Sequence, residues 1–469
     1  MLASAGRQEK KRTRMALVVA STIMVGTPLA CSGDDDRPST SPQPDASTDS
    51  GLDGDEEIDA PSEADVAEGG ITIDGLSAPV SLIYDSYGIP HVTCSTDDDC
   101  FAAIGYVHAS NRLFVMDFLR HLIRGKLAGL VMAGGPILES DYYYRQFMAN
   151  RNGDPLAEVL LADLDPESAH ALDRYAGGVN AWIQDVNADA NGAKRSVEYD
   201  FFLLVDRDIP LWEPEDSMAV ALYLINDLSN SIETELALAQ LATSAPPAVA
   251  SDLLTLQPAF PVFTMVASGE VFANPMPLQP TSNVLELERL APFADALRQA
   301  RAFAAGAFQP NRDLWRGSKG SNKWVLGPSR TTTGNAILSN DPHLGMSNPA
   351  VFLPMEIDSI SEGSGTLHVA GGTVPGLPPV LTGHNEHVAW GVTTANYDLN
   401  DVYLETLNAT GDGVMFEGGE VPFVTQIVTF DNALGDPVEK ELKWVPHHGP
   451  VLAEDPQTGT AITATGRGD

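Results

Sequence analysis

Gly320-Ser321-Asn322-Lys323-Trp324-Val325-Leu326-Gly327 is the stretch on which the reading of this chain turns. It is a strand-like run bounded by glycines, and it sits where the texture of the sequence changes. Before it, residues 244–319 are rich in proline and alanine; after it come short apolar runs separated by Gly, Pro and Asn turns. Two further segments follow: Asp341-Pro342-His343-Leu344-Gly345, and Gly383-His384-Asn385-Glu386-His387-Val388-Ala389-Trp390-Gly391. On residue types alone they offer a serine after a glycine, a nearby histidine and polar turns, which names no reaction. Neither a G-x-S-x-G elbow nor an H-E-x-x-H zinc helix is present. His384 and His387 flank Glu386, but at a spacing of three in a turn, so a hydrogen-bonded loop is a better reading than a zinc hydrolase built on them.

Working outward, the downstream runs 323–327, 335–339, 366–370, 379–383, 387–393, 401–406 and 421–431 read as strands. Upstream, Ile71–Ile73 and Val80–Tyr84 also read as strands, ahead of a Tyr87-Gly88-Ile89-Pro90 turn. Phe101–Arg124 carries apolar residues at helical spacing and stops at Gly125. Helices are predicted again over Pro166–Val186 and Glu215–Thr243, with an amphipathic segment at Val284–Ala305. Helices first and strands later predict an α+β or layered αββα body.

The chain has 469 residues, 43% of them hydrophobic, enough for more than one core-forming region. Its net charge of −37 is unevenly placed: residues 1–30 carry +4, residues 31–68 carry −12, and the rest carries −29. A field of that sign repels polyanions, which argues against nucleic acid as a partner. Met15–Gly26 is an apolar run behind five basic residues, the length of a signal-peptide core and too short for a permanent span. It leads into Thr27-Pro28-Leu29-Ala30-Cys31, which resembles a bacterial lipoprotein cleavage site with Cys31 as the lipidated residue. The protein is therefore expected to be exported, to periplasm or outer membrane, and to meet the membrane only through a lipid anchor. Residues 31–69 are Ser/Asp/Pro-rich and read as a disordered acidic linker. Three cysteines exclude a disulfide scaffold; in an exported chain Cys94 and Cys100 most simply pair.

Taken in order, the segments resemble the penicillin acylase family of N-terminal-nucleophile hydrolases, nearer to acyl-homoserine-lactone and cephalosporin acylases than to penicillin G acylase. The match rests on Asp85-Ser86-Tyr87-Gly88-Ile89-Pro90-His91, Gly105-Tyr106-Val107-His108-Ala109, Arg112-Leu113-Phe114 with Met116-Asp117, and Trp212-Glu213-Pro214-Glu215-Asp216, followed by the Gly-Ser-Asn-x-Trp and Gly-His-Asn blocks. The resemblance implies an αββα sandwich: a signal peptide at 1–30, a linker at 31–69, a helical α-chain region at 70–270, a spacer at 271–320, and the N-terminal part of a β-chain at 321–469. It implies a precursor that cuts itself at Gly320–Ser321 into α and β chains, and Ser321 as the nucleophile, its freed α-amine acting as base. His343 stands where the lactone and cephalosporin acylases have histidine and penicillin G acylase has glutamine, placing it beside the serine. Thr394 supplies a backbone oxyanion donor, and a second, asparagine donor is expected beyond residue 469.

The same alignment puts Asp398, the Asn400 carbonyl and Asp401 at calcium-ligand positions, with Glu235 from the preceding helix favoured over Glu233. At the acyl pocket Leu228-Ser229, Leu344 and Val392 replace the residues of penicillin G acylase, which suits a flexible aliphatic acyl chain. The expected substrate is a small N-acyl amide of acyl-homoserine-lactone, lipopeptide or β-lactam type. The alternative is a catalytically inactive truncated homologue, a ligand-binding lipoprotein, because the family β-chain is longer than the 149 residues that follow Gly320.

Overall fold

A computed structural model describes residues 73–131, 135–202, 208–229, 232–246, 287–308, 320–344, 348–393 and 400–465. Cys31, the apolar run before it, the acidic linker, Thr394 and Asp398 lie outside the described residues. The chain opens with β1 (Ser81–Tyr84), β2 (Pro90–Thr93) and α1 (Asp97–Ile123). The helices continue as α2 (Gly135–Phe147), α3 (Leu156–Ala162), α4 (Pro166–Ala188), α5 (Val197–Phe202), α6 (Pro214–Ser229), α7 (Ile232–Ser244), α8 (Leu287–Leu290) and α9 (Ala294–Gly306). Strands follow: β3 (Gly320–Leu326), β4 (Ile337–His343), β5 (Leu353–Asp358), β6 (His368–Thr373), β7 (Val380–His384) and β8 (Ala389–Trp390). The last are β9 (Val402–Thr406), β10 (Gly413–Phe416), β11 (Gly419–Pro422), β12 (Val424–Phe430), β13 (Val438–Val445), β14 (Gly449–Asp455) and β15 (Thr460–Ala464). The α+β class expected from the order of helical and strand patterns is the one found.

Two larger sheets organise the strands. One runs β1-β2-β5-β6-β7-β8, so the N-terminal hairpin joins strands more than 260 residues later through the parallel β2–β5 pair. The other runs β12-β13-β14-β15-β9. β3 and β4 form a separate hairpin, and β10 pairs with β11.

The start of α1 is locally determined. Thr96 caps it by accepting the Asp99 N–H, and Asp97, Asp98 and Asp99 place negative charge at the positive end of the helix. A Cys94–Cys100 disulfide ties this turn to the end of β2, the pairing expected from the cysteine count. Asp97 also accepts from Ser359, Thr366 and Leu367, anchoring α1 to the β5–β6 connection.

α1 and α4 are the central helix pair, and glycine lets them meet at backbone distance. A Cβ on Gly178 would sit 1.7 Å from the Ala102 carbonyl oxygen, and one on Gly105 would sit 2.1 Å from that of Tyr175. Gly105 in the Gly-Tyr-Val-His-Ala motif is therefore a packing requirement. Beside this crossing His108 is fully buried. Thr373 Oγ1 donates to the Leu353 carbonyl (2.7 Å), so it must accept from His108 Nε2 (2.8 Å). The Gly376 N–H donates to the Tyr175 hydroxyl (2.8 Å), which then donates to His108 Nδ1 (2.9 Å). The ring is thus neutral with its proton on Nε2, and it joins both helices to the six-stranded sheet.

A second buried device explains the Trp-Glu-Pro-Glu-Asp motif. Arg120 is held between Asp117 (2.7 Å) and Asp216 (2.9 Å) and donates to the Pro210 and Leu211 carbonyls. Asp216 also accepts from Arg124 and from the Glu213 N–H, while the Arg120 guanidinium lies over the buried Trp212 ring. Buried charges need this density of partners. The Glu215–Thr243 pattern gives two helices, α6 and α7, rather than one. The amphipathic stretch near 284–305 gives α9, whose Ala296, Leu297, Ala300 and Ala304 are fully buried in the main core. No described helix is long and apolar enough to cross a membrane.

Candidate active site

Ser321 lies at the second position of β3, opposite Pro342 on β4, and Gly320 pairs with His343. The Ser321 hydroxyl donates to the carbonyl oxygen of Gly320 (2.7 Å), so the side-chain oxygen sits against the peptide unit that joins these two residues. His343 flanks the same unit: its Nδ1 is 3.7 Å from where a Gly320 Cβ would stand. Its Nε2 contacts Asp341 Oδ2 at 3.0 Å. Asp341 was not singled out as a site residue from sequence, although the signal exists: residues two apart on a strand share a face. With the imidazole 46% and the carboxylate 69% exposed, this pair steers the ring more than it strengthens the fold.

A second positioning residue also escaped sequence reasoning. Asn340 ties the hairpin to the Gly-His-Asn block: its amide nitrogen donates to the Asn322 carbonyl (3.2 Å) and the Val392 carbonyl (3.0 Å). Its amide oxygen accepts from Thr382 (2.9 Å) and from the Val392 N–H (3.0 Å). A Cβ on Gly391 would come within 2.7 Å of Asn340, so the glycine after Trp390 makes room for the clamp. All four hydrogen-bonding positions of one amide are used, which holds Ser321 and residues 390–392 in register. The rest of β3 is open: Trp324 is 59% and Val325 64% exposed.

The other expected residues are placed as follows. Glu235 lies in the first turn of α7, and its Oε2 accepts the Val402 N–H (3.0 Å), which brings it beside Asn400 and Asp401. Asn400 is buried, and the Asp401 N–H and carbonyl are bonded to Thr465. Leu228 is exposed near the end of α6, and Leu344 directly follows β4.

The block 383–391 forms the β7–β8 hairpin and its hydrogen-bonded turn rather than a metal site. Asn385 accepts the N–H groups of His387 and Val388, and Glu386 pairs with His368, which raises the His368 pKa. Ligand atoms of His384, Glu386 and His387 do not converge. Among the described residues one group does, Glu405 with His447 and His448, and sequence reasoning passed it by.

Comparison with known proteins agrees with the ordered motifs. The chain is 30% identical over 401 residues to the penicillin acylase 2 proenzyme of Pseudomonas sp. (strain SE83), covering 84% of this chain and 46% of that protein. It is 30% identical over 387 residues to the acyl-homoserine lactone acylase QuiP of Pseudomonas aeruginosa, covering 81% of this chain and 41% of that one. The chain thus spans less than half the length of these relatives. Against a solved thermostable penicillin G acylase from Alcaligenes faecalis, at 25% identity, it matches 40% of this chain and 97% of that one with a TM-score of 0.33. The family model described as penicillin amidase matches residues 79–468, and the chain belongs to that family.

Proposed function

We propose that this chain is the precursor of an exported amidohydrolase that cuts itself at Gly320–Ser321 and hydrolyses small N-acyl amides through Ser321. The observation that carries the reading is the Ser321 hydroxyl resting on the Gly320 carbonyl, with His343 and Asp341 beside it. Attack of the Ser321 oxygen on the Gly320 carbonyl carbon closes a five-membered ring. Breaking the C–N bond then leaves an ester and a free amine, the hydroxyl proton ending on nitrogen; water cleaves the ester to a Gly320 carboxylate and a new N-terminal serine.

The freed α-amine has an ordinary pKa of about 7.7–8.0, so near neutral pH a useful fraction is unprotonated and accepts the proton of its own hydroxyl. The serine oxygen attacks the substrate carbonyl, the amine product leaves with a proton, and water hydrolyses the acyl-enzyme. In this reading His343, oriented by Asp341, is a positioning residue at the serine, and the Thr394 N–H faces the oxyanion. Asn340 holds the two halves of the site together. The aliphatic Leu228, Leu344 and Val392 favour a flexible acyl chain, as in acyl-homoserine lactones or lipopeptides, over a phenylacetyl group.

The Glu235 carboxylate with the oxygens of Asp398, Asn400 and Asp401 is a hard, all-oxygen donor set that suits Ca2+. Bound there, the ion would supply charge neutralisation and a link between α7 and the start of β9. Residues 1–30 act as the export signal and 31–69 as a tether from lipidated Cys31, while 70–270 and 321–469 belong to the α and β chains that flank the 271–320 spacer.

Mass spectrometry of the expressed protein tests the reading. A fragment beginning at Ser321 is expected, and it disappears in Ser321→Ala. If the wild-type chain stays whole, or the alanine variant hydrolyses acyl amides as well as wild type, the nucleophile assignment fails and a non-catalytic binding protein takes its place.

A further inference from the structure

The Glu405, His447 and His448 group lies apart from the Ser321 hairpin, on the five-stranded sheet. Glu405 is on β9, and the two histidines occupy the turn between β13 and β14. The Glu405 side chain is only 4% exposed. Three groups converge on its Oε1: His448 Nδ1 at 2.5 Å, the Thr463 hydroxyl at 3.0 Å and His447 Nε2 at 3.8 Å.

A hydrogen bond accounts for Glu405 and His448 but leaves His447 unexplained. Its Nε2 is shielded from solvent and makes no hydrogen bond. Such an orphaned buried nitrogen is destabilising unless something occupies it.

Both rings are also held in place. Tyr403 stacks on His448 with centroids 3.7 Å apart, and Phe416 stacks on His447 at 3.8 Å. Thr463 on β15 orients the carboxylate, as outer partners do around metal ligands.

We propose that Glu405, His447 and His448 form a binding site for a divalent transition cation of the Zn2+ class. Two imidazoles and a carboxylate are the ligand types of tetrahedral zinc and its neighbours, whereas Ca2+ and Mg2+ prefer oxygen alone. The three ligand atoms already lie within 4.8 Å of one another. Tetrahedral zinc with bonds of about 2.0–2.1 Å places its ligands about 3.3 Å apart. His447 therefore moves inward slightly while the Glu405–His448 contact opens. A fourth position is left for water, and the bound ion would staple β9 to the β13–β14 turn.

The test is titration of the full chain, first stripped with chelator, with Zn2+ and in a separate arm with Ca2+. Co2+ then substitutes as a visible-absorption probe of tetrahedral geometry. The expected result is one Zn2+ site that Glu405→Gln and His447→Ala each weaken at least about 100-fold, with Ca2+ unable to compete. Loss of the tetrahedral Co2+ spectrum in either variant supports the same assignment. Glu405→Gln keeps the size of the side chain. If it still fails to fold, His447→Ala decides alone, because the Nε2 of that ring lies 3.8 Å from Glu405, beyond hydrogen-bond distance. The proposal is overturned if stripped wild type takes up no Zn2+, or if His447→Ala binds it as tightly; the cluster is then a buried hydrogen-bonded group and nothing more.

Discussion

Acidification should loosen the core first at His108. Burial, followed by the charge of nearby Arg112, pushes its pKa from 6.5 to about 3. The folded value lies below the unfolded one, so the neutral ring's contribution is complete above pH 6.5. It declines as the pH falls, and it stops changing below about 3. At 1.36 kcal/mol per pH unit, full protonation costs about 5 kcal/mol, and a step from pH 7 to pH 5 costs about 2 kcal/mol. The geometry supplies the cause: the ring is fully buried and Nδ1 accepts from the Tyr175 hydroxyl, so a proton there displaces that donor and brings a charge where no water reaches it. His108→Gln removes the titration while keeping a donor for Thr373. The assay is urea unfolding of both proteins at pH 7 and pH 5 in a Ser321→Ala background, which keeps the chain whole under the proposed mechanism. Depressed carboxylates destabilise both proteins on acidification and cancel in the difference. Wild type should therefore lose about 2 kcal/mol more than His108→Gln, seen in the midpoint with m unchanged. Equal losses would refute the reasoning and imply that the protonated ring is accommodated.

Gly178→Ala forces a Cβ into the Ala102 carbonyl and should lower stability by at least about 1–3 kcal/mol, read as a drop in Tm, or abolish folding. A neighbouring control is available: Gly177→Ala meets nothing within 4 Å, so its Tm should not fall. Asp216→Ala leaves Arg120 with one buried carboxylate and should cost about 3–5 kcal/mol in the same measurement. A smaller loss than for an exposed control such as Asp189→Ala would sink the claim that this network secures α6 to α1.

Much of the candidate site was legible because its signals are short and ordered. The Gly-Ser-Asn-x-Trp junction, Asp-Pro-His and the Gly-His-Asn block each occupy a few consecutive residues, and the run at 323–327, bounded by a glycine, reads as a strand that the structure extends back to Gly320. What escaped the sequence depends on pairing across distance. β5 was missed because Pro354 reads as a breaker, yet the strand alternates buried Leu353, Met355 and Ile357 with more exposed residues. The helices 135–147 and 156–162 were missed as well. Asn340 looks like an ordinary strand polar residue until β7 and residues 390–392 surround it.

By itself, then, the sequence determined the α+β class, the order of helical and strand regions, the acidic and apolar segments before residue 70, and which serine and histidine to examine. These follow from composition, period and contiguous motif, all local properties of the chain. Only the tertiary structure decided that Gly105 and Gly178 are contact points, and that Asp341 and Asn340 steer the Ser321 hairpin. It also decided the tautomer of His108, and it brought two adjacent histidines to a carboxylate 42 residues earlier. Those facts arise where backbones cross and side chains lose water together, and no local pattern records which distant residue will be on the other side.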